Sequence, residues 1–340
     1  MRKFIEAYNG EVDRYRRTGG NVDIDDFVNY DKVKWSRNLK LELKRANYAE
    51  FAESKVRISL YRPFCKRHLF FDRVLNEEVY VFPRISPTVV TESENRIIAL
   101  TGPASEKPFL IQIVSGIADL HLVGAGSSTQ CFPLYIYDED GGNRRENITD
   151  WALGQFRAHY DDETITKSDI FHYVYGLLHH PDYREKYADN LKRDLPRIPF
   201  APDFRAFAAA GERLAELHLN YEEAEPYELK WRIEEGAKTA DLYRVEKMRL
   251  NKGKDVVRVN DCLQLAGIPQ EAYDYRLGNR SALEWVIDQY RVRTYKRSGI
   301  TSDPNNPDDP EYIVRLVGRV ITVSVETVKA VEGLPEDFGG

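Results

Sequence analysis

Residues 56–62 read Val-Arg-Ile-Ser-Leu-Tyr-Arg, and the apolar side chains of Val56, Ile58 and Leu60 alternate with polar neighbours. Such alternation over four to eight residues is typical of a β-strand with one buried face. Short runs rich in Ile, Val, Phe and Tyr follow at 68–71, 79–82, 96–100, 109–114, 119–123 and 132–137. No helix of crossover length separates these runs. We therefore predict a mixed or antiparallel sheet and exclude a doubly wound nucleotide-binding domain.

Helical patterns flank this β-rich stretch on both sides. Before it, apolar residues at helical spacing predict helices over 2–17 and 37–47. After the Asp-Gly-Gly-Asn turn at 140–143, helices are predicted at 151–160, 167–178, 182–191, 204–221, 281–290 and 311–332. The last segment is rich in Val, but Asp309-Pro310 before it and Gly333 after it favour a helix. Segments 243–250 and 255–260 predict a hairpin around Asn-Lys-Gly-Lys.

Together these patterns predict an α+β protein. It has a β-rich N-terminal lobe with a mixed or antiparallel sheet, and a helical C-terminal lobe that carries a β-hairpin near 243–260. We place a helical lead-in at 1–50, the β-rich lobe at 51–145 and the mainly helical lobe at 146–340. With 340 residues the chain is near the upper limit for a single hydrophobic core, which allows one large domain or two lobes.

Composition excludes several classes of protein. Hydrophobic residues make up 42% of the chain and charged residues 31%, which argues against global disorder. No apolar run approaches the roughly 18–20 residues of a membrane helix and no signal peptide opens the chain, so we expect a cytoplasmic protein without membrane contact. The cysteines at 65, 131 and 262 form no CxxC pair, so neither a zinc site nor a disulfide framework is expected. A net charge of −6 argues against a wholly basic nucleic-acid coat but allows a local basic groove.

The usual catalytic motifs are missing. There is no Walker A loop, HExxH, GxSxG or Asn-Pro-Pro-aromatic tetrapeptide, and Gly124-Ala125-Gly126 lacks the third glycine of a dinucleotide fingerprint. We therefore predict no catalytic residue, no metal ligand and no cofactor in this chain. Asp203, with Glu228 and Lys230, superficially matches the carboxylate and lysine pattern of a nuclease, but surface charge is the favoured interpretation. His179-His180 before Pro181 predicts a helix cap.

Basic residues cluster in three main segments. Residues 55–73 carry six basic side chains and one acidic one, a net +5, and interleave them with aromatic residues. Residues 244–258 carry six basic and two acidic side chains, a net +4, around a hairpin tip that is suited to a DNA groove. Arg291, Arg293, Lys296 and Arg297 form a third patch, and Arg144-Arg145 a smaller one. For any one patch, solvated surface remains the simplest alternative.

Several short sequence motifs are more specific than the composition and the charge of these segments. They are Ser-Leu-Tyr-Arg-Pro-Phe at 59–64, Leu-Phe-Phe-Asp at 69–72, Gln-Cys-Phe-Pro-Leu-Tyr-Ile-Tyr at 130–137, Asn-Ile-Thr-Asp-Trp at 147–151, Asp-Ile-Phe-His-Tyr-Val-Tyr-Gly-Leu-Leu-His at 169–179, Pro-Asp-Tyr-Arg-Glu-Lys-Tyr-Ala at 181–188, Leu-Pro-Arg-Ile-Pro-Phe at 195–200 and Ser-Ala-Leu-Glu-Trp at 281–285. Together they resemble the C-terminal part of the type ISP single-polypeptide restriction–modification enzymes, over residues 27 to 335.

The resemblance implies a target-recognition (specificity) domain that reads a short sequence in double-stranded DNA. Its implied partners are that duplex and the adenine methyltransferase and helicase domains of the same polypeptide, which are joined to a nuclease. Residues 1–50 resemble the tail of the methyltransferase domain. S-adenosylmethionine, ATP and Mg are implied only for the domains outside this chain, whose motifs do not occur here. In such enzymes the methyltransferase domain flips the target adenine.

We expect DNA to lie along a basic face between or beside the two lobes. The predicted phosphate contacts are Arg62, Lys66, Arg67, Lys252, Lys254 and Arg258. The predicted base-edge contacts are Gln130, Arg144, Arg145 and Asn251. The main alternative is a protein-interaction module that docks the partner domains and has little DNA contact of its own.

Overall fold

The N-terminal region forms a small helical unit with its own core. The computed structural model describes residues 1–77, 79–238, 242–296 and 299–339. It contains helices α1 (Arg2–Arg16), α2 (Ile24–Phe27) and α3 (Arg37–Lys44). Helices α1 and α3 confirm the two helices predicted for this region, and α2 is a short additional helix. Tyr8 and Val12 on α1 are fully buried against Leu43 of α3, and Phe70 from the following sheet closes this cluster. A 3₁₀ turn (Glu53–Lys55) then leads into the first strand.

The β-rich stretch that follows contains two three-stranded sheets and one two-stranded sheet. Strands β1 (Val56–Arg62) and β2 (Cys65–Phe70) pair antiparallel, and the later strand β5 (Ile117–Ala118) pairs parallel to β1. Helices α4 (Phe82–Ile85) and α5 (Val89–Glu94) intervene before the second sheet. That sheet has β3 (Ile97–Thr101) between β4 (Ile111–Val114) and β6 (Thr129–Pro133), while β7 (Tyr135–Ile136) pairs with β8 (Arg145–Glu146). The predicted mixed sheet is confirmed.

Two predicted strands are wrong. Residues 79–82 form a turn that enters α4, because Pro83 in the first helical turn has no N–H to give to a strand ladder. Residues 119–123 form a turn instead of a strand, because the Asp119 carboxylate accepts the His121 N–H at 2.9 Å and the Gly124 N–H bonds the His121 carbonyl at 2.7 Å. His121 therefore lies in a turn rather than on a sheet face.

Helices dominate the next region. They are α6 (Asp150–Tyr160), α7 (Lys167–Leu177), α8 (Pro181–Lys186), α9 (Ala188–Leu191) and α10 (Phe204–Leu219). The single helix predicted over 182–191 is two short ones, broken at Tyr187, and the His180 side chain caps α8 as predicted. Helices α7 and α10 cross in close contact: a Cβ on Gly176 would lie 2.4 Å from the Phe207 carbonyl oxygen, and one on Gly211 would lie 1.8 Å from that of His172. Both positions therefore require glycine.

The C-terminal region adds a four-stranded antiparallel sheet and two helices. The sheet contains β9 (Lys230–Ile233), β10 (Arg249–Leu250), β11 (Val256–Arg258) and β12 (Leu263–Ala266), in the order β10-β11-β12-β9. A 3₁₀ turn (Gln270–Tyr273) and strands β13 (Arg276–Leu277) and β14 (Arg280–Ser281) lead to α11 (Ala282–Gln289). Strands β15 (Arg293–Thr294) and β16 (Thr301–Ser302) precede α12 (Tyr312–Glu332). The predicted hairpin is present but its strands are shorter, and the Val-rich segment is helical as predicted.

Two further hydrophobic clusters hold the remainder together. One combines residues between 60 and 123 with residues between 221 and 323, and α12 lies within it. The other combines residues 98 to 215 with Leu334 and Phe338. The α+β class is confirmed, while the boundaries at residues 50 and 145 stay predictions. No helix within the described residues is both long enough and apolar enough to cross a membrane.

A buried polar network ties three elements of these clusters. The Tyr175 hydroxyl on α7 lies 2.6 Å from His218 Nδ1 on α10, and His218 Nε2 lies 2.9 Å from the Thr327 hydroxyl on α12. Tyr275 stacks on the His218 ring with centroids 4.9 Å apart. Burial lowers the pKa of His218 well below its usual value and that of the neighbouring His179 to about 3. Both imidazoles are therefore neutral in the folded chain near pH 7.

Candidate nucleic-acid interface

Four arginines from two distant segments line one polar cavity of about 420 Å³. Arg62 and Arg67 come from β1 and β2, and Arg291 and Arg293 come from the segment between α11 and β16. The lining is completed by Tyr61, Asp288, Gln289, Tyr295 and Ser302. We call this the arginine cavity.

Tertiary contacts bring the two segments together. The turn between β1 and β2 buries Phe64, whose carbonyl oxygen lies 3.5 Å from the Tyr290 hydroxyl just beyond α11. Arg67 donates to the Gln289 carbonyl at 3.1 Å. An isolated antiparallel β-bridge between Lys247 and Arg291 holds the segment that follows α11 in place. The arginine cavity is therefore built by packing between residues that are more than 200 positions apart.

The arginine cavity has more cationic than anionic groups. Asp288 is the single carboxylate among its described lining residues, so four arginines and one aspartate give a net charge of +3. Asp288 pairs with Arg291 at 3.4 Å and with Arg280, and Arg62 reaches Asp119 at 3.1 Å. Within the described chain Arg67 contacts the Gln289 carbonyl, the Cys65 thiol and the Tyr290 ring, with no carboxylate among its partners. Arg293 lies over the Tyr295 ring at 5.1 Å. These two guanidinium groups keep donors available for an anion.

A second, larger cavity of about 720 Å³ adjoins the arginine cavity. Asp119 lines it and forms an ion pair at 3.1 Å with Arg62 of the arginine cavity, so this pair links the walls of the two cavities. Its walls are mainly apolar, with Phe71, Tyr80 and Phe82 among them, and Gln130 from β6 faces into it. We call this the apolar cavity. Gln130 is the one predicted base-edge residue among the described residues that line either cavity.

Lys66 lies away from Arg67 although the two are neighbours in sequence. Successive side chains of a strand point to opposite faces, and β2 follows this rule. The Lys66 ammonium forms an ion pair with Glu222 and lies 5.0 Å from the centre of the Tyr221 ring. Of the first basic segment, only Arg62 and Arg67 thus line the arginine cavity.

The hairpin residues have local partners of their own. Lys254 pairs with Glu284 at 2.9 Å and Arg258 pairs with Asp261 at 2.6 Å. The Asn251 amide donates to Asp255 at 2.7 Å. Lys252 is exposed at the tip, and within the described part of the chain no carboxylate pairs with it. Arg249 on β10 is also exposed and pairs with no carboxylate within the described residues, so two of the four hairpin cations, Arg249 and Lys252, are unpaired.

Arg144 and Arg145 lie elsewhere. Arg145 pairs with Asp138 at 3.0 Å, and Arg144 lies 3.8 Å from Glu94 and 4.7 Å from the centre of the Tyr135 ring. Neither is among the described residues that line the two cavities. The structure thus groups Arg62, Arg67 and Gln130 and leaves the other candidates in separate places.

Sequence reasoning missed the contribution of Arg291 and Arg293. It recognised them as a third patch, but it did not include them among the candidate contacts. Their flanking tyrosines, Tyr290 and Tyr295, were the available signal, since arginines that alternate with aromatic residues suit a stacked and charged surface. Arg297, from the same patch, lies outside the described residues. Arg57, counted in the first patch, is buried against Glu92 and serves the fold.

The residues that suggested a nuclease do not form a metal centre in the described part of the chain. Asp203 accepts the Ala206 N–H at 2.9 Å and so caps α10. Lys230 is exposed on β9. Within residues 1–77, 79–238, 242–296 and 299–339, no group of three or more His, Cys, Asp or Glu side chains is placed to hold a metal ion.

Comparison with known proteins gives one family and several similar structures. The Type ISP C-terminal specificity domain family matches residues 1–316. A nuclease-deletion mutant of the Type ISP restriction-modification enzyme LlaGI in complex with a DNA substrate mimic is 36% identical with a TM-score of 0.84, over 99% of this chain and 30% of that one. A DrdV–DNA complex is 37% identical with a TM-score of 0.83, over 98% and 33%.

A third similar structure is the ATP-dependent Type ISP restriction-modification enzyme LlaBIII bound to DNA. It is 31% identical with a TM-score of 0.83, over 97% of this chain and 22% of that one. This chain thus spans a third or less of the length of the structures it resembles. The comparison with curated proteins gave no match.

Proposed function

We propose that this chain, which belongs to the Type ISP C-terminal specificity domain family, recognises a double-stranded DNA target for a restriction–modification enzyme. Similar structures that are 31–37% identical were solved with DNA or a DNA mimic bound. The observation that carries the proposal is the arginine cavity, where four guanidinium groups meet one lining carboxylate on a chain of net charge −6.

The arginine cavity is proposed to bind the DNA backbone. Guanidinium groups match phosphate oxygens in geometry and stay charged at all relevant pH values. Arg67 and Arg293 are the main contacts in this proposal, because neither is neutralised by a carboxylate within the described chain. Arg62 contributes less, since Asp119 already shares its charge. Lys252 supplies one further phosphate contact from the hairpin tip.

Base reading is proposed for side chains beside this backbone contact. Gln130 is exposed on β6, and its amide offers the donor and acceptor pair that recognises adenine in the major groove. Asn251, Arg144 and Arg145 remain weaker candidates, because each is already bonded to an acidic neighbour. A good bidentate contact discriminates between bases by about 1–3 kcal/mol. Phosphate contacts determine the affinity for DNA, while these few base contacts determine which DNA sequence is recognised.

The remaining activities of the enzyme are proposed for other domains of the same polypeptide. Adenine methylation, DNA cleavage and helicase-like ATP hydrolysis would take place there, with S-adenosylmethionine, ATP and Mg bound there. Residues 1–50 are proposed to continue the methyltransferase domain, which is supported by their separate helical core. In this proposal, the described part of this chain positions the DNA and selects its target sequence.

The test of this function is selection of bound duplexes from a random pool. The chain is incubated with duplexes that contain a randomised segment, and bound DNA is amplified and sequenced over several rounds. One short sequence is expected to be enriched, and its affinity is expected to fall steeply between 50 and 200 mM salt, on the scale typical of phosphate contacts. Enrichment of no sequence, together with no binding above that of an unrelated acidic protein, would contradict the proposal.

A further inference from the structure

We propose that the apolar cavity receives one unstacked nucleobase of the bound DNA while the arginine cavity holds the phosphate of the same nucleotide. This inference rests on the proposed function and adds a second, base-binding site to it. A nucleotide joins a flat, largely apolar base to an anionic phosphate. The two cavities present the complementary surfaces side by side, since Asp119 lines one and bonds an arginine of the other.

The size of the apolar cavity suits a small aromatic ligand. Its volume of about 720 Å³ lies within the roughly 300–1,000 Å³ of typical ligand sites. Phe71, Tyr80 and Phe82 offer aromatic surface, and stacking on aromatic side chains is how proteins commonly hold an unstacked base. These walls favour an aromatic occupant.

Polar groups in the same cavity suit the edge of a base. The Gln130 amide, the Thr129 and Ser128 hydroxyls and the Asn76 amide all line it. Ligand sites typically combine apolar walls with a few polar groups that fix orientation. A base edge carries donors and acceptors in its plane, which these side chains can pair. Thr129 and Asn76 already accept the N–H groups of Leu122 and Asp72, at 3.1 and 2.6 Å, so the Gln130 amide is the main group left to pair with a base edge.

The rim of the apolar cavity exposes large apolar surface. Tyr80 is 67% exposed and Val81 is 59% exposed, and both line the cavity. Tyr80 also adopts a left-handed backbone conformation (φ 45°), which is unfavourable for a tyrosine. Such strain is found where a side chain must be directed to a ligand. Binding of a base would cover this surface.

Charge decides between a base and an apolar side chain as occupant. The lining of the apolar cavity adds the Glu77 and Asp119 carboxylates, so the combined site carries a net +1 among its described lining residues. The positive charge is concentrated in the arginine cavity, at a net +3, and an anionic group of the occupant binds there. A nucleotide supplies that group on the same molecule. An apolar side chain of a partner domain does not, and it is the alternative that the experiment below separates.

The experiment compares two small probes on the chain itself. Deoxyadenosine 5′-monophosphate and deoxyribose 5-phosphate are titrated separately, with binding followed by NMR chemical shifts. The nucleotide is expected to bind at least about fivefold more tightly than the sugar phosphate, because only the nucleotide fills the apolar cavity. Arg293→Ala is expected to weaken both probes by a similar factor.

Two variants locate the base. Val81→Trp fills the mouth of the apolar cavity and is expected to remove the preference for the nucleotide. Val90→Trp is the matched control: Val90 is exposed on α5 and lies outside the lining of both cavities, so the preference should remain. Gln130→Leu keeps the volume and removes the amide, and it should reduce the preference without abolishing it. Circular dichroism verifies that each variant is folded.

The outcomes separate this inference from the proposed function. If the chain binds duplex DNA but binds the two probes equally, the base site is wrong and DNA recognition stands. If the preference survives Val81→Trp, the base binds elsewhere and the inference also fails. If Val81→Trp instead weakens only association with the other domains of the polypeptide, the cavity is a docking site. Failure to bind any duplex overturns the proposed function itself.

Discussion

The arginine cavity and the 249–258 hairpin differ in how their cations are grouped. Their parent segments, 55–73 and 244–258, carry similar net charges of +5 and +4. At the hairpin, Lys254 and Arg258 are each paired with a carboxylate, whereas Arg249 and Lys252 pair with none within the described residues. At the arginine cavity, four guanidinium groups share one lining carboxylate. Charge counted along a sequence is therefore a poor measure of the charge that a ligand meets.

The difference arises from where the partners come from. Arg258 pairs with Asp261 three residues away, whereas Arg67 and Arg293 are brought together by tertiary packing, with Asp288 as the one carboxylate among the described residues that line their cavity. Exposed ion pairs contribute little to stability, typically below about 1 kcal/mol. They do reduce the attraction that a cation exerts on a phosphate. The hairpin and the cavity should consequently respond very differently to substitution.

The largest expected effect separates folding from binding within the first basic segment. Arg57 and Glu92 form a buried ion pair, and burial raises the pKa of Glu92 despite the opposing effect of Arg57. Arg57→Met should lower the free energy of unfolding by about 3–5 kcal/mol, because it leaves a buried carboxylate without its partner. Urea denaturation measures this change.

The double variant Arg57→Met/Glu92→Leu is the control for this prediction. It removes both charges and should recover most of the lost stability. If the single variant is as stable as the parent chain, or if it weakens DNA binding without affecting stability, then Arg57 belongs to the interface and our distinction is wrong.

The next effect concerns the arginine cavity. Arg67→Ala/Arg293→Ala should weaken duplex affinity about a hundredfold, since each lost charge-assisted contact costs about 1.4 kcal/mol or more. Fluorescence anisotropy with a labelled duplex at 100 mM salt measures the change. Arg213→Ala/Lys329→Ala offers a matched control: both side chains are exposed and pair with Glu326, away from the two cavities, so affinity should remain within about twofold.

A pH titration distinguishes the charge of the cavity from the stability of the fold. His179 and His218 have pKa values lowered by burial, so below about pH 6.5 the unfolded chain takes up protons that the folded chain refuses. The free energy of unfolding should therefore decrease as the pH is lowered, by roughly 3 kcal/mol between pH 7.5 and 5.5. Thermal or urea denaturation at several pH values measures it.

Arginine stays charged throughout this range, so the cavity itself should not respond. Duplex affinity of the folded fraction should remain flat between pH 7.5 and 5.5. Stability that is independent of pH would mean that the two histidines are accessible to protons in the folded chain, contrary to their burial.

The smallest expected effect is at the hairpin. Lys252→Ala/Lys254→Ala should weaken duplex affinity only about threefold, because Lys254 is already paired with Glu284. Glu284→Gln, which releases Lys254, should strengthen binding slightly. The same anisotropy assay applies. A loss comparable to that of the arginine double variant would show that the hairpin is the main DNA contact.

Local patterns in the sequence predict the local elements well. The helices at the two ends, the hairpin and the α+β class follow from periodicity and from Pro and Gly positions. The strands predicted at 79–82 and 119–123 form turns, and apolar residues of both segments line the apolar cavity instead of a sheet. Val81, Phe82 and Leu120 show that a hydrophobic run can mark a cavity wall as readily as a strand.

The site is harder to predict because it depends on long-range contacts. Phe64 and Tyr290 are 226 residues apart, and their contact is what brings Arg62 and Arg67 to Arg291 and Arg293. Lys66 and Glu222 are 156 residues apart, and their pairing removes Lys66 from the candidates that line the cavity. No spacing in the sequence signals either contact, so charge patches could be identified but not assembled.

The salt dependence of duplex binding tests the central claim most directly. The logarithm of affinity is plotted against the logarithm of salt concentration for the parent chain, Arg67→Ala/Arg293→Ala and Lys252→Ala/Lys254→Ala. The arginine double variant should reduce the slope by about two, since about one phosphate contact is lost with each residue, and the hairpin variant by at most about one. An unchanged slope in the arginine variant, with a reduction of about two in the hairpin variant, would contradict the assignment of the arginine cavity to the DNA backbone.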